Sequence, residues 1–340
     1  PLRAPPLYHA GDAEQVAAAS VPRALFAAGV PQRLNEVRLS DSGMVNFSDQ
    51  EASWFHGIHR VPLGSAVTLQ HGQPRRLSRY YDPLAIPRIE ARSDEEIIER
   101  VDQLLDEGVK ACLAGFHRPA ATLSGGLDSP QVVARALKFI TPDQTLPTFT
   151  FHPEQGYDGH VEEGMIGDER PIVEAFAAAY PQIEAHFTAN EGYEHDHRWN
   201  DLFHLMGGAP SGLCNMYVFH GLFAGAAREN CDLLLVSDWG NNAFSDKGYW
   251  GYVEYFLTGR WRQLWLALRH FPIQQRSMLW RFVAQCLLPL LPNRLWKVVR
   301  KLVFGKEGRL LDLMQPFSES YRAASGAGDR LRRSGLVFVG

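Results

Sequence analysis

The sequence has few cysteines, and their arrangement suggests no shared role. Its four cysteines, Cys112, Cys214, Cys231 and Cys286, lie far apart and form no C-x-x-C pair. This spacing argues against a disulfide framework or a zinc site and predicts a reducing, cytoplasmic compartment. The thirteen histidines show no H-E-x-x-H spacing, so we interpret them as surface or core residues rather than zinc ligands.

Long apolar runs and strong net charge are also lacking. No stretch reaches the roughly 18 apolar residues that a spanning helix needs, so we expect no integral membrane span. The first residues, PLRAPPLYHAGDAEQ, contain no apolar signal region that would indicate export. A formal net charge of −4 argues against a protein that coats nucleic acid. The 340 residues, of which 45% are hydrophobic, are typical of a globular protein, and their length favours two domains over one.

Helix-like and strand-like segments alternate from about residue 90 onward. The amphipathic segment RSDEEIIERVDQLLDEGVKACLAGF is followed by the short apolar segments PAATL, TLPTFTF and CDLLLVS. This alternation predicts an α/β fold in which a parallel sheet is flanked by helices. Residues 1–83 contain instead short strand-like runs and turns. Within them, GSAVTLQHGQPRRLSRYY predicts a hairpin that turns at His71 and Gly72.

One segment, ATLSGGLDSPQVVARAL, has the features of an anion-binding loop between a strand and a helix. Gly125 and Gly126 let the backbone approach a bulky anion with its N–H groups, and the following helix adds its positive end. Asp128 would repel a phosphate, but it can hold the Mg²⁺ that accompanies a nucleotide. Ser129 is expected to cap the helix. An ordinary glycine-rich turn capped by Ser129 would explain neither the paired glycines nor the acid beside them.

The motif from Ser124 to Ser129 resembles the pyrophosphate-binding loop of the asparagine synthetase family, among the adenine-nucleotide alpha hydrolases; no Walker A pattern occurs. The resemblance implies a PP-loop ATP pyrophosphatase fold with ATP and Mg²⁺ as cofactors. It implies cleavage of ATP between the α and β phosphates, which leaves AMP on a substrate carboxylate until a nitrogen nucleophile displaces it. The implied nucleotide-binding residues are Leu123, Ser124, Gly125, Gly126, Asp128, Ser129, Phe151, Ser237 and Asp238, with Asp128 and Asp238 as the catalytic and metal-binding pair.

A second motif, LLLVSDWGNNAFSDKG, occupies the place of S-G-[DE]-G-[GS]-D-E in asparagine synthetases. Asp238 and Gly240 keep the first acid and a glycine, whereas Asn241 and Asn242 replace the D-E pair. An asparagine brings no negative charge, so we expect weaker Mg²⁺ binding unless Asp238 compensates. The pattern G-N-x-x-x-S-x-x-G, from Gly240 through Ser245, is similar to a branch of the family that includes lasso-peptide cyclases. A polar turn with no binding role is the alternative.

The N-terminal region carries a further resemblance. PLYHA, FHGIHRVPLGSAV and RYYDP resemble the end of the glutaminase-type domain of asparagine synthetases and its linker, with Arg60, Pro62 and Gly64 in step. The cysteine that hydrolyses glutamine in that domain is not in this sequence. We therefore expect residues 1–83 to be a remnant of a β-rich, Ntn-type domain. Residues 90–340 would form the ATP-binding domain, incomplete at its C-terminus.

Two regions leave alternatives open. Asp168 and Glu169 precede an expected helix, where they either cap it or contact a substrate. Residues 249–304 are rich in tryptophan, arginine and apolar residues at helical spacing. Buried helices with arginines that reach solvent, a groove for a peptide partner and a membrane-surface face are all consistent with this composition.

The motifs together predict an ATP-dependent, AMP-forming amide-bond synthetase. The leading hypothesis is a lasso-peptide macrolactam cyclase that adenylates a peptide carboxylate, with other biosynthetic proteins as partners that deliver the precursor peptide. One alternative is a glutamine-dependent asparagine synthetase, whose substrate is an amino-acid carboxylate. Another is a catalytically degenerate relative that only binds nucleotide or peptide.

Overall fold

The computed structural model describes residues 6–11, 15–43, 46–87, 93–161, 166–190, 193–207, 216–238, 240, 248–271, 276–292, 295, 298 and 317–333. The chain divides into two compact units. The first comprises Pro1–Ile86, Phe203–Gly208 and Gly248–Gly340, and the second comprises Pro87–Leu202 and Ala209–Lys247. None of the helices within these described ranges is both long and apolar enough to cross a lipid bilayer.

The first unit begins with short strands. Strands β1 (Tyr8–Gly11), β2 (Val16–Ala19) and β3 (Ile58–Arg60) form an antiparallel sheet in the order β2, β1, β3. Strands β4 (Ser65–Thr68) and β5 (Arg76–Arg79) pair antiparallel as a separate hairpin. The predicted hairpin is confirmed, and Gly72 in its turn has a φ of +69°, which a glycine adopts without strain.

The described helices of the first unit lie in two parts of the chain. Near the N-terminus are α1 (Pro22–Ala27), α2 (Glu36–Gly43) and a short 3₁₀ helix, Pro83–Ala85; farther along the chain are α8 (Tyr249–Leu257), α9 (Trp261–Arg269), α10 (Met278–Phe282), α11 (Glu319–Ser325) and α12 (Ala327–Arg333). A π-helical turn (Val283–Leu287) and a 3₁₀ turn (Leu288–Leu290) continue α10. Arg330 joins α12 to α2 through a 2.9 Å ion pair with Asp41.

The second unit contains a four-stranded parallel sheet. Its strands, in spatial order, are β8 (Ile183–Thr188), β7 (Leu146–Phe151), β6 (Pro119–Thr122) and β9 (Leu233–Leu235). Its helices are α3 (Asp94–Leu113), α4 (Asp128–Ala136), α5 (Arg170–Ala178) and α7 (Met216–Arg228), while α6 (Trp199–Met206) runs from the second unit into Phe203–Gly208 of the first. The predicted segments PAATL, TLPTFTF and CDLLLVS each contain one of these strands.

Both faces of the parallel sheet are covered. On one face Ala121 of β6 packs in a buried cluster with Val133 of α4 and Val173 of α5. On the other face Ala120 and Phe149 pack with residues of α7. Successive residues of a strand point to opposite faces, so neighbouring alanines of β6 serve the two layers. The predicted α/β fold, a parallel sheet flanked by helices, is confirmed.

A buried arginine fixes the helix that follows the candidate loop. Arg135 of α4 forms ion pairs with Asp102 and Asp106 of α3, at 2.5 Å and 2.7 Å. Hydrogen bonds to these carboxylates raise the pKa of Arg135 despite its burial, so the guanidinium is charged at all ordinary pH values. The start of α4, at Asp128, is therefore held at a defined position relative to the sheet.

Candidate active site

The carboxyl ends of three parallel strands lie at one edge of the sheet. Strand β6 leads into Leu123 and the glycine-rich loop, β7 ends at Phe151, and β9 leads into Ser237 and Asp238. Leu123 is pinned there because its N–H donates to the Phe149 carbonyl at 3.0 Å and its carbonyl accepts from Thr150 Oγ1 at 2.8 Å. Ligands in open α/β sheets bind at this edge, so the fold brings the predicted residues to a suitable place.

The loop from Leu123 to Leu127 is closed by the two serines at its ends. Ser129 Oγ accepts the backbone N–H of Ser124 at 2.8 Å and lies 2.9 Å from Ser124 Oγ. The prediction that Ser129 caps the helix is wrong: α4 begins at Asp128, and Leu127 holds the cap position without a side-chain bond. The Ser129 hydroxyl is used instead to satisfy an N–H that the end of β6 leaves unpaired.

The glycine N–H groups of the loop have internal partners. Gly126 N–H donates to Ser124 Oγ at 3.3 Å, and Gly125 N–H donates to Glu169 Oε2 at 3.1 Å. A carboxylate therefore occupies a donor that the sequence assigned to a phosphate. A side chain at Gly125 would meet the Ile172 methyl group at 3.1 Å, so the N-terminal turn of α5 also packs closely against this loop.

Asp168 and Glu169 have different roles. Asp168 Oδ1 accepts the N–H of Arg170 at 3.0 Å, and its carboxylate pairs with the Arg170 guanidinium at 2.6 Å. These hydrogen bonds hold the pKa of Asp168 below its usual range. Both acids lie at the start of α5 as predicted: Asp168 accepts the first N–H of the helix, whereas Glu169 holds the N-cap position without a side-chain capping bond and turns to Gly125. Only the packing of α5 against the loop determines which of the two adjacent acids reaches the Gly125 N–H.

Asp128 lies at the closest approach of the two predicted motifs. The turn after β9 is closed by a 3.3 Å hydrogen bond from the Gly240 N–H to the Ser237 carbonyl. A methyl group on Gly240 would overlap the Asp128 carboxylate, so a larger residue there would force that carboxylate or the turn to shift. Asp128 Oδ1 is buried and has no hydrogen-bond partner among the described residues. A buried oxygen without a donor is costly and would be satisfied by a cation.

The remaining predicted metal ligands are placed only in part. Asp238 follows β9 and is exposed. Asn241, Asn242 and Ser245 lie outside the described residues. Across the described ranges, no three His, Cys, Asp or Glu side chains converge on one point. Among the described residues, Asp128 supplies a buried carboxylate oxygen at the loop, which fits a hard cation that takes other ligands from phosphate and water.

A polar group that the sequence motifs do not include lies next to Phe151. The Phe151 ring contacts the Tyr217 ring edge-on, with centroids 6.0 Å apart. The Tyr217 hydroxyl donates to the Glu154 carboxylate, and that hydrogen bond, with some burial, raises the pKa of Tyr217 to about 12. Tyr217 is thus a neutral phenol at physiological pH. Its position in α7 carries no local signal, since only tertiary packing brings α7 to the end of β7.

A polar cavity opens beyond this group, at the end of β8. Its volume is about 290 Å³, and its lining includes His152, Thr188, Asn190, Tyr193 and Arg228. Asn190 has a left-handed φ of 58° and is buried, with its amide N–H donated to the Tyr217 carbonyl. Tyr217 links this cavity to the end of β7, because its carbonyl accepts from Asn190 and its ring contacts Phe151.

Comparison with known families gives one match for this chain. A family model described as asparagine synthase matches residues 100–327, which is more than half of the sequence. The match includes β6, the glycine-rich loop, Phe151 and the Ser237–Gly240 turn. A search of curated proteins finds no match.

Proposed function

We propose, from the premise that this chain belongs to the asparagine synthase family of ATP-dependent C–N ligases, that it adenylates a carboxylate and passes it to an amine as a lasso-peptide macrolactam cyclase. The observation that carries the proposal is the geometry at Asp128. A buried carboxylate oxygen, with no hydrogen-bond partner in the part of the chain that the structure describes, lies beside Gly240 at the start of a helix and next to the loop of Gly125 and Gly126.

The loop would bind the β and γ phosphates of ATP. The first turn of α4 supplies a positive helix end, and the N–H groups of Gly126 and Gly125 become available when their present acceptors, the Ser124 hydroxyl and the Glu169 carboxylate, move away. Phe151 would contact the adenine, and Ser124 and Ser237 would complete the polar rim. Leu123 and Ser129 would hold the nucleotide-binding loop in place from beneath, because both are buried. The role of the chain is mainly to position the leaving pyrophosphate and neutralise its charge.

Asp128 and Asp238 are the residues that would hold Mg²⁺. Both offer carboxylate oxygens, which this ion prefers, and Asp128 already presents a buried oxygen without a donor. When bound, the ion neutralises charge that develops on the departing pyrophosphate. Asp128 would also orient the phosphates relative to the loop, because the glycine at 240 leaves its carboxylate room on that side.

The proposed reaction forms an amide bond in two steps. A carboxylate oxygen attacks the α phosphorus, the bond to the bridging oxygen breaks, and pyrophosphate leaves. The N-terminal amine of the same peptide then attacks the acyl carbon, AMP leaves with the bonding electrons, and the amine nitrogen loses a proton. One amide bond forms for each ATP cleaved to AMP and pyrophosphate.

The macrolactam assignment is supported by the pattern from Gly240 to Gly248, which is similar to lasso-peptide cyclases. Asparagine synthetase is the second candidate, favoured by the N-terminal resemblance that starts at PLYHA. In that view residues 1–83 are a glutaminase-like remnant and residues 90–340 the ATP-binding domain. A relative that only binds nucleotide is the third candidate, favoured by the loss of the D-E pair at Asn241 and Asn242.

Exchange of labelled pyrophosphate into ATP separates these candidates. We expect exchange that requires a precursor peptide with an Asp or Glu side chain, and none with free aspartate. Exchange with free aspartate alone would identify an asparagine synthetase, and none with either substrate, despite ATP binding, would identify the degenerate relative. Release of glutamate from glutamine without ATP, by the natural full-length protein, would contradict the cyclase proposal.

A further inference from the structure

Helices α9 and α10 carry large apolar side chains on the surface. Trp261 and Trp265 of α9 are 59% and 51% exposed, and Leu279 of α10 is 73% exposed. The inner side of α9 packs against the protein: Leu264 and Leu268 lie in a buried cluster that also contains Tyr252, Phe271 and Cys286. Trp265 is therefore not needed to build this core, while Trp261 also contacts the Phe256 ring edge-on, with centroids 5.8 Å apart.

Arginines surround the exposed rings. Residues 248–292 contain Arg260, Arg262, Arg269, Arg276 and Arg281 and a single acid, Glu254, in a chain whose net charge is −4. The first four arginines are exposed, and none of them pairs with a carboxylate among the described residues. This local excess of positive charge is thus available to a partner.

Two of the arginines lie over tryptophan rings. The Arg269 guanidinium is 5.3 Å from the Trp265 ring centroid, and that of Arg276 is 5.4 Å from the Trp280 centroid. Cation–π attraction holds each guanidinium against its indole ring, so the charge and the ring lie together on the surface. We name the set Trp261, Arg262, Trp265, Arg269, Arg276 and Trp280 the Trp–Arg face.

We propose that the Trp–Arg face docks the protein on the surface of an anionic phospholipid bilayer. Tryptophan is enriched at the membrane–water interface because its ring is apolar and its N–H is polar. Arginines at the same level attract anionic headgroups. Interfacial helices combine these two residue types, and binding then depends on buried apolar area together with charge attraction. The inference stands independently of the proposed catalytic activity.

The shape of the face favours a bilayer over an acidic peptide. Side chains that anchor a peptide typically lie in well-packed, desolvated pockets at the centre of an interface. Trp261 and Trp265 instead project from one helix surface with more than half of their area exposed. A lipid interface accepts such projecting rings without a matching pocket. The arginines, unpaired in the described protein, fit a continuous anionic surface.

Co-sedimentation of the full chain with lipid vesicles tests this proposal. We expect binding to vesicles of phosphatidylcholine mixed with phosphatidylglycerol, weakened by added salt, and little binding to phosphatidylcholine alone. Because each arginine near an anionic surface contributes about 1 kcal/mol, the double variant Arg262→Gln/Arg269→Gln should reduce partitioning about tenfold or more. Trp265→Ala should reduce it about fivefold through lost apolar contact.

Matched controls lie elsewhere on the surface. Arg76→Gln removes an exposed cation from β5, and Tyr80→Ala removes an aromatic side chain that is 64% exposed; both should bind vesicles as the parent protein does. All variants should keep the parent melting temperature, since only exposed groups change. Equal binding to both vesicle types, no binding to either, or binding unaffected by the face variants would overturn the proposal. So would binding of a polyglutamate peptide that depends on the face when vesicle binding does not.

Discussion

The carboxylate of Glu169 accepts a hydrogen bond from the backbone N–H of Gly125 at 3.1 Å. This contact joins the start of α5 to the glycine-rich loop and places a negative charge at a predicted phosphate position. An incoming phosphate must displace this carboxylate, because two anions cannot share one donor. The same contact orders the loop before a ligand arrives.

Glu169→Gln should therefore strengthen binding of pyrophosphate and ATP. The amide oxygen of glutamine can keep the bond to Gly125, while the repulsion toward phosphate is lost. We expect the Kd for pyrophosphate, measured by calorimetry, to fall about fivefold, which corresponds to about 1 kcal/mol. The matched control is Glu174→Gln, an exposed acid on the same helix. Weaker binding in Glu169→Gln would show that the Glu169 charge supports the nucleotide-binding form.

Asp128→Asn should lower the rate of Mg²⁺-dependent pyrophosphate exchange by about 100-fold or more and leave the fold intact. The substitution keeps the shape of the side chain and removes the charge that would hold the ion. Melting temperature should stay the same or rise slightly, since an unpartnered buried carboxylate oxygen is costly. As a control, Asp168→Asn removes a nearby negative charge that is already paired with Arg170. Parent-like exchange in a folded Asp128→Asn protein would exclude the metal role.

Gly240→Ala should damage the candidate site through steric overlap. The new methyl group would collide with the Asp128 carboxylate, so either the turn after β9 or the carboxylate must shift. We expect a loss of about 1–3 kcal/mol in the free energy of unfolding and at least about tenfold in exchange. The control is Gly108→Ala, since Gly108 lies in α3 with nothing near its missing side chain. That change should stabilise the protein by about 0.5–1 kcal/mol. Equal behaviour of the two variants would contradict the close approach at Gly240.

The first unit should lose stability on mild acidification because of His9. Burial, followed by the nearby His59 and Arg75, lowers the pKa of His9, and Glu51 opposes this shift only weakly. Since the folded pKa lies below the unfolded value of about 6.5, the unfolded chain binds the proton more readily. The contribution is present above pH 6.5 and is lost as the pH falls through the folded pKa.

Thermal melting between pH 7.5 and 5.5 measures this effect. His9→Gln should flatten the decline in melting temperature, while His71→Gln, in the exposed turn of the β4–β5 hairpin, should not. His220, whose pKa burial also lowers, should leave part of the decline in place. An unchanged pH profile in His9→Gln would show that His9 does not titrate below its usual range.

Local sequence patterns were sufficient for strands β6, β7 and β9 and for the place of the loop, whereas β8 was not predicted. Apolar runs of strand length, such as TLPTFTF, become buried strands because a sheet covered on both faces requires them to be apolar throughout. The paired glycines between PAATL and the following helix located the loop, since the positions of parallel strand ends follow from the fold class. Both predictions depend only on residues that are close together in the sequence.

The sequence by itself determined the fold class, the hairpin around Gly72 and the position of the glycine-rich loop, because each depends on periodicity or on a local backbone requirement. Tertiary structure alone decided that Ser129 closes the loop instead of capping α4, that Glu169 and not Asp168 reaches Gly125, and that Asp128 lies against Gly240. Two of these contacts, Glu169 with Gly125 and Asp128 with Gly240, join elements distant in the chain, whereas Ser124 and Ser129 are five residues apart and the folded loop brings their hydroxyls together. Packing and the pairing of buried polar groups select the partner there, and no local pattern encodes that selection.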